Sequence, residues 1–347
     1  MFKKSRVLIS LTILLTIVLA ACASSATATT APTEMPAATE MPAATQAAPT
    51  EMPAATQAEA TMAPSNSGSG GVIVVGSKDF TEEFILGKIT VLALQNAGYD
   101  VQDDTNTGGT AVVREALVNG DIDIYWEYTG TAWITHLGHE NAITDSQEAY
   151  DKVKAEDATN NLVWLDMAPF NNTYTLMMKQ SMGDELGIQT ISDLADYINN
   201  GGDASLCTNQ EFYARPDGFK GLEQLYGFQF AEDQVNLMDS GLTYKALQDD
   251  QCTTAMGFAT DGRIAAFGFF NLKDDKSYFP VYNPAPVVRK DVLDQNPGIA
   301  DVLNPIAAKL TTDIMTNLNK SVDIDGEEPE QAACDFLTSQ GFMDSCP

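Results

Sequence analysis

The sequence predicts an α/β body of two lobes, and three observations predict it. Short apolar runs alternate with amphipathic segments throughout residues 72–347, the pattern of strands interleaved with helices. That stretch is large for one hydrophobic core, which favours two lobes. A sharp change of composition at residue 71 separates it from a leader with nothing to bury.

Taken in order, Lys3, Lys4 and Arg6 precede a run over 7–21 that is apolar apart from Ser10, Thr12 and Thr16. A basic n-region before a short apolar h-region is a signal peptide, here residues 1–21, and is too short for a confident spanning helix. It ends in Leu19-Ala20-Ala21-Cys22, which resembles the lipobox of bacterial lipoproteins. The resemblance implies cleavage before Cys22, lipid on its thiol and amine, and a stable anchor through two or more acyl chains. Residues 22–71 then form a tether of Ala, Thr, Pro, Met, Gln, Ser and Gly without an aromatic residue, in which Glu-Met-Pro-Ala-Ala-Thr begins at 34, 40 and 51. Recurrent proline blocks helix, so this segment is semi-extended and disordered, reaching up to ~150 Å.

In the body, strands are expected over 72–75, 99–101, 121–125, 162–165, 174–178, 205–207, 254–258 and 287–289. Helices are expected over 81–97, 110–119, 129–137, 192–199, 218–226, 242–249, 300–315 and 329–339. Thr81 is the expected N-cap of the first helix, and Phe84, Ile85, Ile89 and Leu92 give it one apolar face. Thr107-Gly108-Gly109 makes the turn into the second.

The whole chain carries 48 acidic and 19 basic side chains, a net charge of −29. Residues 72–347 hold 44 of the acids and 16 of the bases. A body this negative repels phosphate backbones and anionic headgroups, so nucleic acid is excluded as a main partner. With Cys22 acylated, Cys207, Cys252, Cys334 and Cys346 remain, and four cysteines in an exported chain allow three pairings. Local spacing favours Cys207–Cys252 and Cys334–Cys346. No CxxC or paired-histidine motif accompanies them, so they read as disulfides rather than metal ligands. His136 and His139, the only histidines, read as a surface pair. The chain has no Gly-x-Ser-x-Gly elbow or P-loop, which leaves catalysis without support.

Seven stretches together resemble the substrate-binding proteins of ABC importers for quaternary-ammonium osmoprotectants. They are Gly76-Ser77-Lys78-Asp79-Phe80-Thr81-Glu82, Gly108-Gly109-Thr110, Tyr125-Trp126-Glu127-Tyr128-Thr129-Gly130-Thr131, and Glu211-Phe212-Tyr213-Ala214-Arg215-Pro216-Asp217-Gly218. Gly241-Leu242-Thr243-Tyr244-Lys245-Ala246-Leu247, Ala259-Thr260-Asp261-Gly262-Arg263-Ile264, and Asp274-Asp275-Lys276 with Phe279-Pro280-Val281-Tyr282 complete the set. The resemblance implies a type II periplasmic-binding-protein fold with a hinge and a central cleft. It implies a first lobe of 72–172 plus 283–347 around a second of 173–282.

It also implies a ligand such as glycine betaine, proline betaine, carnitine or choline, no cofactor, and no enzymatic activity. A trimethylammonium group has diffuse charge and no N–H donor, so aromatic faces hold it by cation–π attraction and methyl contact. A carboxylate at the other end needs fixed donors and positive charge. By the resemblance, the cage is Tyr128, Tyr174, Phe258 and Tyr282, with Phe258 where relatives generally have Tyr. Asn172 offers its backbone carbonyl to the ammonium. Lys78, Thr131 and Arg215 clamp the carboxylate. Thr131 goes with carboxylated ligands, and Glu83 stands where many relatives have Gln. The expected partners are the ABC permease, its ATPase indirectly, and the membrane through the lipid anchor. The receptor acts as a monomer on the outer face of the cytoplasmic membrane. A sensory or adhesive lipoprotein, and an enzyme on the same scaffold, are the alternative readings.

Overall fold

The computed structural model describes residues 71–347; the signal peptide, Cys22 and nearly all of the tether lie outside the described residues. Within them, ten strands form two five-stranded sheets. The first sheet contains β1 (Ile73–Gly76), β2 (Val101–Asp104), β3 (Ile124–Tyr128) and β4 (Leu162–Trp164). The second contains β5 (Tyr174–Lys179), β6 (Leu206–Thr208), β7 (Val235–Leu237), β8 (Thr254–Phe258) and β9 (Phe269–Asn271). β10 (Pro284–Arg289) returns to the first sheet. The orders are β2-β1-β3-β10-β4 and β7-β6-β8-β5-β9. In each sheet the leading three strands are parallel, and β10 or β5 runs antiparallel to both its neighbours. These antiparallel strands are the ones the chain enters as it crosses between sheets, through residues 165–173 and 272–283.

Helices cover the sheets on both faces, so the central strands are buried on both sides and read as nearly unbroken apolar runs. β3, with the sequence Ile-Tyr-Trp-Glu-Tyr, is buried at every position. Around the first sheet, helix α1 (Thr81–Asn96) packs Ile85, Leu86, Ile89 and Leu92 against the helices Gly298–Ala307, Thr312–Asp323 and Pro329–Ser339. The second sheet has its own core around Leu176, Ile191, Leu206, Phe212 and Met256, and this core extends without a break into Tyr128, Tyr174 and Tyr282. Disulfides join Cys207 to Cys252 and Cys334 to Cys346.

The structure corrects several expectations. Phe80, not Thr81, is the N-cap of α1; Thr81 is its first residue, and its hydroxyl donates to Asp323 at 2.7 Å. β2 and β3 begin two and three residues later than the apolar runs suggested, because sheet pairing rather than local hydropathy sets their register. The helix expected over 300–315 is two helices. The second starts at Thr312, where the Thr311 hydroxyl caps the Ile314 amide. The helix Ser146–Asp157 was not anticipated: it is mostly polar, but Asp145 caps it and it buries Ala149, Tyr150 and Val153. The histidines are not a surface pair. His136 has a side chain 6% exposed and bonds Glu127, whereas His139 stacks on Trp133 and reaches Glu156.

Candidate functional site

The two crossings bring the functional side chains together. Tyr128 ends β3 and pairs with Pro284 at the start of β10, while Tyr174 starts β5 opposite Phe258 at the end of β8. Tyr282 lies two residues before β10. The rings therefore meet at the carboxyl ends of β3 and β8, where open α/β sheets place ligands. Tyr174 lies 5.3 Å from Phe258 and 5.4 Å from Tyr282, edge to face with the latter. Phe80 closes the circuit, 5.3 Å from Phe258 and 6.2 Å from Tyr128 between ring centres.

These five rings line one small cavity of about 40 Å³, with Lys78, Thr131 and Asn172 also in its wall. Close packing constrains the rings: a Cβ on Gly130 would sit 2.8 Å from the Tyr282 ring and 2.8 Å from the Val281 carbonyl. Glycine is therefore required in the turn after β3.

Buried carboxylates stand behind the rings. The Tyr128 hydroxyl donates to Glu82 at 2.7 Å and the Tyr282 hydroxyl donates to Asp217 at 2.6 Å. Burial, with those acids beside them, pushes both phenols well above the tyrosine range, so they stay neutral donors. The same Glu82 accepts bonds from Asn172 at 2.8 Å, Thr260 at 2.5 Å and Asn319 at 2.8 Å. Its carboxyl is raised nonetheless, because burial outweighs those bonds.

The cations are already partnered. Lys78 donates to Glu127 at 2.6 Å, with its ammonium 5.2 Å from the centre of the Tyr128 ring. Glu127 also takes bonds from Tyr125 and the Tyr128 amide, and meets His136. Burial alone would raise this acid, yet Lys78 and His136 hold it well below the carboxylate range. Arg215 does not line the cavity. Its guanidinium lies 5.3 Å from the Tyr174 ring and donates twice to Asp217, at 2.8 and 2.7 Å, and once to Glu211 at 3.0 Å. Glu211 does line the cavity and also accepts from Thr110. Glu83 lies behind the site, where it accepts the Lys78 amide at 3.1 Å. Burial pushes its carboxyl up to about 8.

Sequence reasoning missed Phe80, Glu82, Glu127 and Asp217. Glu127 carried a usable signal, since an acid in the middle of a fully apolar strand must be buried with a cation. Phe80 carried none, because its importance comes from Phe258, a ring far along the chain. Among the described residues no group of three or more His, Cys, Asp or Glu could hold a metal ion, and no helix is long and apolar enough to cross a membrane.

The family model for the substrate-binding domain of ABC-type glycine betaine transport systems matches residues 71–339. The glycine-betaine-binding protein of Pseudomonas aeruginosa is 41% identical over 276 residues, covering 78% of this chain and 88% of that one. The glycine betaine-binding protein YehZ of Escherichia coli is 36% identical over 277 residues, covering 78% and 91%. A solved glycine betaine/carnitine/choline ABC transporter structure superposes with a TM-score of 0.65 at 29% identity, covering 78% of this chain and 99% of that one. These relatives are solute-binding proteins rather than enzymes, and the two mixed sheets with interleaved helices are the type II periplasmic-binding-protein fold. By the extent of these matches, the chain belongs to the family of substrate-binding domains of ABC-type glycine betaine importers.

Proposed function

We propose that the protein captures a glycine betaine-like quaternary amine between its lobes and delivers it to an ABC permease. The convergence of Tyr128, Tyr174, Phe258 and Tyr282 on one small cavity carries this reading. The ammonium enters among the ring faces, each contributing ~0.5–2 kcal/mol, with the Asn172 backbone carbonyl beside it. Lys78 and Thr131, in the cavity wall, meet the carboxylate. Arg215 joins them by exchange: the ligand's carboxylate replaces Glu211 on the guanidinium while Asp217 stays in place. That exchange swaps one anion for another, so no charge is left buried without a partner.

Because the groups come from both lobes, ligand contacts favour the closed arrangement, which is the form that docks on the permease. The lipid at Cys22 and the 22–71 tether keep the receptor near that permease; the basic and apolar pattern of residues 1–21 supports this. Calorimetry with glycine betaine, proline betaine, carnitine and choline tests the reading. Saturable heat with at least one of the four is expected, and none with any of them at millimolar concentration overturns it. Tyr282→Ala is expected to weaken binding more than about tenfold, and unchanged affinity refutes the cage.

A further inference from the structure

Phe80 stands where two cavities meet. It lines both the ring cage and an outer cavity of about 680 Å³ along the cleft. The ring is stacked on Phe258 of the other lobe with 15° between the planes, and reaches Tyr128 on its own lobe. It is half-buried, whereas Tyr128, Tyr174 and Tyr282 are buried. Neither Phe80 nor Phe258 has a hydroxyl, so neither ring is tethered as Tyr128 and Tyr282 are to Glu82 and Asp217. The stack can slide without breaking a hydrogen bond.

The sequence accepts a local cost to keep this ring. Phe80 occupies the N-cap of α1 and makes no side-chain capping bond, although Asp79 beside it is a residue type that caps well. A broken local rule without local compensation points to a role at the site. The two cavities also differ in charge. Asp239, Asp261 and Asp323 line the outer one alone, where the single cation among the described residues, Arg263, is paired to Asp261 and Asp323; Asp79 and Glu211 line both, and Lys78 lines only the cage. A ligand carboxylate exposed to that hollow would be repelled, whereas a neutral tail would not.

We propose that Phe80 is a specificity-determining partition: stacked on Phe258, it closes the cage as a fifth wall and screens the ligand's anionic end from the acidic outer cavity. Compact quaternary amines with a carboxylate depend on it. Longer ones with an uncharged tail are excluded by it. The inference rests on the cage reading above and adds the residue that selects among quaternary amines.

The test is calorimetry on wild type, Phe80→Ala, Phe80→Leu and Tyr282→Ala, with glycine betaine, choline and acetylcholine as probes. Removing one ring is worth roughly three- to thirtyfold in affinity. Phe80→Ala is expected to weaken glycine betaine by about tenfold or more, choline less, and to raise acetylcholine relative to glycine betaine at least about fivefold. Phe80→Leu, which keeps the apolar bulk, is expected to restore most of the selectivity but only part of the affinity. Melting curves matching wild type show that the variants fold, as expected for a half-buried side chain. If Phe80→Ala leaves the acetylcholine to glycine betaine ratio within about twofold while Tyr282→Ala abolishes binding, the partition is wrong and the cage stands. If neither variant changes binding, both are wrong.

Discussion

Glu83 and Glu127 lie within one buried network, yet burial acts on them to opposite ends. Glu127 has Lys78 and His136 against it and is held ionised. Glu83 has one backbone amide on Oε2 and nothing on Oε1, and its carboxyl rises from 4.5 to about 8. The folded protein therefore holds this proton more tightly than the unfolded chain does. At pH below 4.5 both states are protonated and Glu83 is neutral to stability. As pH rises towards about 8 the unfolded state ionises first, and stability is lost. Glu83→Gln should remove that slope and raise stability above pH 8 by a few kcal/mol, on the order set by the shift. Denaturant melts from pH 5 to 9 measure it, and parallel curves for variant and wild type would contradict the assignment. The resemblance marked this position as a departure. Its protonation became legible only once burial and partners were known.

At the scale of elements, the site depends on the turn after β3. Tyr128 is the last strand residue, and Gly130 lets the Tyr282 ring close over the turn. Gly130→Ala should displace that ring and weaken glycine betaine about tenfold while leaving the helices intact by circular dichroism; wild-type affinity would show that the turn has slack. Elsewhere the Cys207–Cys252 bond joins β6 to the segment before β8, closing a separation of 45 residues. Replacing both cysteines with serine should cost ~3–4 kcal/mol by the chain-entropy model, seen as a lower melting temperature. Undiminished stability would mean that the two strands hold their register without it. Most elements could be read from the sequence because apolar spacing is local. The break at 308–311 and the helix Ser146–Asp157 could not, since a capping threonine and a three-residue apolar stripe are weak signals against a polar background.

For the whole molecule, closure is written in bonds that span the two sheets' halves. Thr260 donates to Glu82, Asn319 donates to the Thr260 carbonyl, and Thr110 donates to Glu211. Each joins residues that only the double crossing brings together. Thr110→Val preserves shape and removes one such bond, worth about 1 kcal/mol net. It should weaken all ligands alike by about fivefold and shift the ligand-free protein towards a more open radius of gyration in solution scattering. A loss confined to one ligand would instead place Thr110 in direct contact with it.

Composition and hydropathy determined by themselves that this chain has an anionic α/β body, and the resemblance carried by a few ordered motifs said which aromatic residues to watch. Those properties are sums or short-range patterns, and a linear chain displays them directly. Only the tertiary structure decided that Phe80 joins the rings, that Glu211 already occupies Arg215, and that Glu82 binds both lobes together. Such relations depend on distances between residues far apart in sequence. They exist only after strands from two sheets have been threaded past each other twice.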